Sequence, residues 1–205
     1  MLTDNQYGFR ANRSTSMASL DSVEEITNSI DQKQQSIGIF LDLKKAFDTI
    51  NHDILIKKLE RYGIRGIVGN WVRSYLSDRH QFVTLGDCSS ACLDIACGVP
   101  QGSVLGPKLF ILYINDICHV SNVLKLVLFT DDTNIFFSGD DLYQLVEAIN
   151  FEISKLKLWL DNNKLSLNLS KTKFMLFGNC RTNEQIKIQI DGRLSLSNKI
   201  PWCNN

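Results

Sequence analysis

Residues 36–43, SIGIFLDL, are apolar on both faces save for Asp42. A strand sends successive side chains to opposite faces. A run without alternation therefore has to be covered from both sides, as at the centre of a layered domain of helices and sheet. The flanking sequence supplies covers. Met17, Leu20, Val23, Ile26 and Ile30 recur at spacings of three and four, which predicts an amphipathic helix over residues 14–35 capped by Ser14 or Ser16. Phe47, Ile50, Leu55, Leu59 and Tyr62 give a second helical stretch, stopped by Gly63. A third helix is expected around residues 67–76.

Residues 81–85 and 92–97 read as strands, the second running into Gly98-Val99-Pro100-Gln101-Gly102. An apolar helix is expected over 107–118, with proline in its first turn. Residues 125–129 and 135–137 read as a hairpin joined by Thr130-Asp131-Asp132-Thr133-Asn134. Asp140 or Asp141 then caps a long helix whose stripe includes Leu142, Leu145, Val146, Ile149, Ile153, Leu156 and Leu160. Residues 172–177 and 186–190 are the last strands. This order, antiparallel hairpins with helices packed on a sheet, makes the class α+β.

Composition narrows the setting. The chain has 205 residues with 22 basic and 22 acidic side chains, so a simple basic surface for nucleic acid is not legible in its net charge. No apolar run is long enough to span a bilayer, and the N-terminus lacks the pattern of a secretory signal. Six cysteines without CxxC or CxxH spacing argue against a disulfide framework or a zinc site and favour an intracellular setting, cytoplasmic or nuclear.

Two features are chemically out of place. Asp42 puts a carboxylate in an apolar strand, where an unpaired charge is costly; a strand-end residue in solvent, or a helix cap, would avoid that cost. Asp131 and Asp132 sit between two apolar strands, where turn residues are ordinary. Together they are more informative. Both sites lie at the ends of buried strands with no obvious local cation. Were those strands sheet neighbours, three carboxylates would converge, and either a proton or a divalent cation would relieve the repulsion. Oxygen-only ligands favour Mg²⁺ or Mn²⁺ over zinc, the layout of two-metal nucleotidyl transfer.

Three blocks then stand in order: Phe40-Leu41-Asp42-Leu43-Lys44-Lys45-Ala46-Phe47-Asp48, Gly98-Val99-Pro100-Gln101-Gly102-Ser103-Val104-Leu105-Gly106-Pro107, and Phe129-Thr130-Asp131-Asp132. They resemble three successive motifs of reverse transcriptases, in particular those of non-LTR (LINE-type) retrotransposons of the jockey and chicken-repeat kind. Gln6-Tyr7-Gly8-Phe9-Arg10 with Arg13-Ser14-Thr15 resembles the fingers-side motif before them. Asn168 with Lys171-Thr172-Lys173 resembles the lysine-bearing motif after them.

The resemblance implies a right-hand polymerase palm and a set of roles. Asp42, Asp131 and Asp132 resemble the acidic ligands of two Mg²⁺ or Mn²⁺ ions, and Lys171 the lysine that protonates pyrophosphate. Phe47 matches the bulky gate against a 2′-hydroxyl, although a helix-face core residue would look the same. Gln101 and Gly102 match the loop under the nascent base pair, with Pro100 holding its shape, although an ordinary strand-to-helix turn would share that sequence. Arg10, with Arg13 assisting, is the expected triphosphate contact, or else a solvated arginine. Asp48 reads as a helix cap, and His52, His80 and His119 as surface or core residues. Thr130 stands where relatives usually have alanine.

RNA template, DNA primer and dNTPs are the implied partners. The expected organisation is partial fingers over residues 1–35, a palm-centred core over 36–200 with a fingers-side insertion near 63–90, and a tail at 201–205. The thumb is expected to be absent, which suggests a piece of a polymerase. Two rival readings fit the same residues. One is an inert, palm-like nucleic-acid-binding module; the other is a polymerase or nucleotide cyclase that shares the carboxylate geometry.

Overall fold

A computed structural model describes residues 2–178 and 186–190, and the backbone of 194–196. The expected tail at 201–205, Cys180 and Cys203 lie outside the described residues; Cys88, Cys92, Cys97 and Cys118 are free thiols. In chain order the helices are α1 (Thr15–Asp31), α2 (His52–Arg61), α3 (Gly66–Leu76), α4 (Leu105–Ile114) and α5 (Leu142–Asn162). The strands are β1 (Gln35–Leu41), β2 (His80–Gln81), β3 (Thr84–Leu85), β4 (Cys88–Ser89), β5 (Leu93–Asp94), β6 (Lys125–Phe129), β7 (Asp132–Gly139), β8 (Lys173–Phe177), β9 (Ile188–Ile190) and β10 (Leu194–Leu196). The chain forms two compact units: Lys45–Ile114, and Leu2–Lys44 with the described residues from Asn115 onward.

The second unit is built on a sheet of order β6-β7-β1-β8, antiparallel throughout. Residues 36–43 thus do form a central strand, β1, although it ends at Leu41, one residue before the aspartate. Cross-strand partners share a face. Ile37, Ile39 and Leu41 lie on one face with Phe137, Ile135 and Thr133 of β7. Phe40 lies on the other with Asn134 and, through Asn134, with Val127. Ala18 and Ile26 of α1 pack against that second face, with Tyr7, Val127, Phe136, Phe40, Phe129 and Phe177. Phe40 meets Phe136 edge to face at 6.3 Å, a favoured quadrupole geometry.

The stripe of α5, Leu145, Ile149, Ile153, Leu156 and Leu160, is buried, and α5 packs against β7 and β9. Caps follow the sequence. Ser14 Oγ accepts from Met17 N–H and Asp141 Oδ1 from Gln144 N–H, which pairs donors that a helix N-terminus leaves open.

In the first unit α4 is apolar nearly all round, and seven of its residues are buried, as expected of a helix enclosed by its neighbours. Asn51 caps α2, its Oδ1 accepting from Ile54 N–H. Lys58 is buried, its Nζ donating to Tyr113 O at 2.7 Å and lying over the Tyr113 ring.

Five expectations change. The stripe expected on α1 is not its buried face: Met17, Leu20, Val23 and Ile30 are exposed, and the side that meets the sheet carries the small residues Ala18 and Ser29, with Ser29 Oγ bonding Ser138 Oγ of β7 at 2.6 Å. The helical stretch from Phe47 is a turn until His52, because the cap is Asn51 and not Asp48. The strands expected at 81–85 and 92–97 shrink to two-residue ladders, β2 with β5 and β3 with β4; Phe82, Val83, Leu85 and Leu93 stay exposed, so no covered face extends the pairing. The helix expected over 107–118 ends at Ile114 and tightens into a 3-10 turn, Asn115–His119. Residues 130–134 are not a five-residue turn, since β7 already begins at Asp132.

Candidate active site

The hairpin between β6 and β7 closes in two residues, Thr130 and Asp131, with Phe129 paired to Asp132. Thr130 has φ of 58°. A β-branched side chain is rarely found there because Cβ crowds the backbone, and glycine is the usual residue where the first position of a two-residue hairpin turn needs positive φ. Thr130→Gly is therefore expected to leave stability unchanged or to raise it by up to about 1 kcal/mol, the reverse of glycine's usual effect in a sheet. Urea unfolding would decide the sign.

Leu41 pairs with Thr133, so the next residue along each strand end, Asp42 and Asp132, are cross-strand neighbours. By alternation both belong to the face that carries Phe40 and Phe129. The Asn168–Lys173 block holds this end of β1 from the other side. Asn168 N–H donates to Asp42 O at 2.7 Å, Asp42 N–H donates to Thr172 Oγ1 at 3.4 Å, and Lys171 and Thr172 N–H both return to Asn168 O. The turn so formed sets Lys171 Nζ 3.8 Å from Asp42 Oδ1. The aspartates thus have a neighbouring cation after all, supplied 129 residues along the chain from Asp42.

Burial first, then the charges of Asp131 and Asp42, raise the Asp132 carboxyl above its ordinary pKa, with Lys171 pulling it back. The protonated form is favoured in the fold, so this group's contribution to stability is present below the ordinary aspartate range and is lost as pH rises through the raised value. Glu152 is shifted the other way, so the Asp132 contribution is read as a difference: without added cation, wild type is expected to lose melting temperature relative to Asp132→Asn as pH climbs from about 4. Thermal melts across pH check it.

Among the described residues no three His, Cys, Asp or Glu side chains stand in a ready-made cation shell. The residues nevertheless fit a hard divalent cation. The donors are carboxylate oxygens, and burial together with the neighbouring charges of Asp131 and Asp42 raises the proton affinity of Asp132, a cost that a bound cation would relieve.

The remaining motif belongs to the first unit. Phe47 is half-buried and stacks on the buried Phe110 at 4.6 Å between centroids, so it is packed from behind. The Gly98–Gly102 loop is stitched to the Phe47 turn: Val99 N–H donates to Phe47 O and Gly98 N–H to Ile50 O, each at 2.8 Å. Gln101 is exposed, its Nε2 donating to Asp48 Oδ1 at 2.7 Å. Gly102 is also exposed, with φ of 79° and open space around it. A groove of about 640 Å³ along this loop is lined by Lys45, Arg79, Gln81 and Gln101 among others. Asp48, expected as a helix cap, instead anchors Gln101.

Arg10 and Arg13 are engaged locally. Arg10 Nη1 donates to Thr3 O and Gln6 O, and both guanidiniums approach Asp4. Arg13 lies over the Tyr7 ring at 4.9 Å, and Tyr7 OH donates to Asp21. His52 Nε2 bonds Gly98 O at 2.7 Å, and His80 pairs with Asp94 at the surface. The residue that sequence reasoning passed over is Gln6, buried under the Thr130 turn. Its place in the Gln-Tyr-Gly-Phe-Arg block was the available signal, but the partner lies 124 residues away.

Comparison with known proteins gives the family. Residues 1–192 match the model for reverse transcriptase (RNA-dependent DNA polymerase). The chain is 30% identical over 185 residues to the probable RNA-directed DNA polymerase from transposon BS of Drosophila melanogaster, covering 84% of this chain and 20% of that protein. It is 27% identical over 196 residues to the RNA-directed DNA polymerase from mobile element jockey of the same species, covering 92% of this chain and 21% of that one. The chain therefore spans about a fifth of the length of these relatives. Among solved structures, telomerase from Candida albicans, in complex with a fragment of telomeric RNA, matches with a TM-score of 0.60 at 16% identity, over 87% of this chain and 32% of that one. Telomerase from Candida tropicalis, without its C-terminal domain, matches with a TM-score of 0.59 at 17% identity, over 84% of this chain and 37% of that one. These likenesses carry the fold, a partial polymerase palm. A family model matched over residues 1–192 and polymerases of jockey-type elements matched over most of the chain agree: the chain belongs to the reverse transcriptase family, of the non-LTR retrotransposon type.

Proposed function

We propose that this chain carries the nucleotidyl-transfer centre of an RNA-directed DNA polymerase, extending a DNA primer on an RNA template with dNTPs. The observation that carries the reading is the meeting of Asp42 with the Asp131–Asp132 turn at adjacent strand ends of one sheet. Asp42, Asp131 and Asp132 are the residues that would hold Mg²⁺ or Mn²⁺, two ions in the proposed reaction. Such ions, when bound, acidify the primer 3′-hydroxyl and offset charge on the triphosphate.

The side chains have their own tasks. Lys171 keeps a solvent-exposed ammonium beside Asp42 and would supply a proton to the departing pyrophosphate. Phe47, backed by Phe110, would reject a 2′-hydroxyl by contact, because a ring stacked from behind does not yield. Gln101, held by Asp48, and Gly102 would support the nascent pair. Lys45 and Arg79 give the adjoining groove cationic lining for phosphates. Arg10 and Arg13 could reach a triphosphate only by giving up bonds to Thr3, Gln6 and Asp4.

The test is primer extension by this chain on poly(rA)/oligo(dT) with Mn²⁺ and labelled dTTP. Incorporation that needs RNA template and divalent cation supports the reading. Absence of incorporation, together with no Mn²⁺-induced rise in melting temperature, would remove it.

A further inference from the structure

Residues 5–7 run parallel along the outer edge of β6. Tyr7 N–H donates to Leu128 O and Leu128 N–H to Asn5 O, each at 2.8 Å. This pairing leaves Gln6 fully buried. Its Oε1 accepts from Gly8 N–H at 2.7 Å and from Thr130 N–H at 3.2 Å. Two N–H donors converging on one atom settle which end of the amide is oxygen. Thr130 is the residue with positive φ, and Asp131 follows it directly. Gly8 closes the cage: a Cβ there would stand 2.5 Å from both Thr130 N and Thr130 Oγ1.

The other end of the same amide is orphaned. Gln6 Nε2 is buried with no hydrogen-bond partner among the described residues. A buried amide with an unpaired NH₂ lowers stability relative to an apolar side chain of the same shape. What an apolar side chain could not supply is an acceptor for the amides of Gly8 and of the strained turn.

We propose that Gln6 is a positioning residue for the aspartate-bearing turn. Its Oε1 holds the Thr130 amide, keeps Thr130 in the left-handed conformation and so sets the direction in which Asp131 leaves the hairpin. The proposal rests on the reading of Asp131 as a cation ligand, which it deepens. Gln6 touches no reacting atom and acts only through the backbone of Thr130.

Two readouts on the whole chain test it: amide hydrogen exchange at Thr130, and Mn²⁺ affinity by EPR titration. In the wild type the Thr130 amide should exchange slowly; fast exchange there overturns the proposal without any variant. In Gln6→Met the Thr130 amide should lose protection while those of Tyr7 and Leu128 keep theirs. Mn²⁺ should bind about tenfold more weakly, the usual cost of losing an outer-shell support. Asp131→Asn separates the two ideas. If it weakens Mn²⁺ and Gln6→Met does not, the positioning role is overturned while the cation reading stands. If Asp131→Asn leaves Mn²⁺ affinity unchanged, the cation reading fails, and the hold on the turn is then judged by exchange alone. Wild-type protection of Thr130 in Gln6→Met overturns it, and selective loss upholds it.

Discussion

Asp131→Asn is expected to reduce RNA-templated dTMP incorporation by about a thousandfold, equivalent to roughly 4 kcal/mol of lost transition-state stabilisation. Asparagine preserves volume and one oxygen but removes the charge that a hard cation requires. The same change should make the metal-free protein slightly easier to fold at neutral pH. Asp131 is one of the two charges that raise the proton affinity of Asp132, and its removal returns that carboxyl towards ordinary behaviour. The variant should therefore melt no lower than wild type without cation and gain less on adding Mn²⁺. Equal incorporation by both proteins, or an undiminished Mn²⁺ shift, would contradict the assignment of Asp131.

Gly98→Ala should be among the most damaging single-methyl changes in the first unit. Gly98 has φ of 87°, and a Cβ there would lie 2.8 Å from Asp48 O and 2.9 Å from Asp48 Cα. Both obstacles are backbone, so no rotamer change clears them. Hydrogen bonds to Ile50, from Val99 to Phe47 and from His52 hold the two segments together. Overpacking costs about 1–3 kcal/mol and a left-handed alanine about 1 more, so a loss of roughly 3 kcal/mol is expected. Gly102→Ala is the matched control: its φ is also positive, but its Cβ would meet nothing. Only the conformational cost of about 1 kcal/mol should appear there. Urea denaturation of both variants would measure the difference, and equal losses would refute the close-approach argument.

The glycine also explains part of the motif's chemistry. Backbone contact at Gly98 brings Val99 to Phe47 O and lets Gln101 reach Asp48. The proposed sugar gate and base-pair loop are thus stitched into one local structure.

Much of this was legible along the chain because it depends on local periodicity. Residues 36–43 read as a doubly covered strand, and the stripe of α5 follows from spacings of three and four; α1 is the helix expected, but Met17, Leu20, Val23 and Ile30 of its stripe are exposed and Ala18 and Ser29 are buried in their place. Ser14 or Ser16 and Asp140 or Asp141 marked the helix starts, of which the structure uses Ser14 and Asp141, and Asp42 stood out because a carboxylate ending an apolar strand calls for a reason. What stayed illegible were relations between residues far apart in sequence. Lys171 reaches Asp42 only because residues 166–168 pair alongside the end of β1. Asp48 looked like a cap, and only the approach of the Gly98–Gly102 loop turned it into the anchor of Gln101. The hairpin closes in two residues rather than five because β6 and β7 pair as far as Phe129 with Asp132, with β1 also pairing β7 as far as Thr133, and a paired backbone outweighs turn preference. The sequence by itself determined the central strand, the α5 stripe and the acidic residues at the strand ends, each an outcome of side-chain type and period. Tertiary structure alone decided register, and register brings Asp42 beside Asp132, Gln6 under Thr130 and Lys171 within 3.8 Å of a carboxylate. Hydrogen bonds between distant strands set those pairings, and no local pattern encodes them.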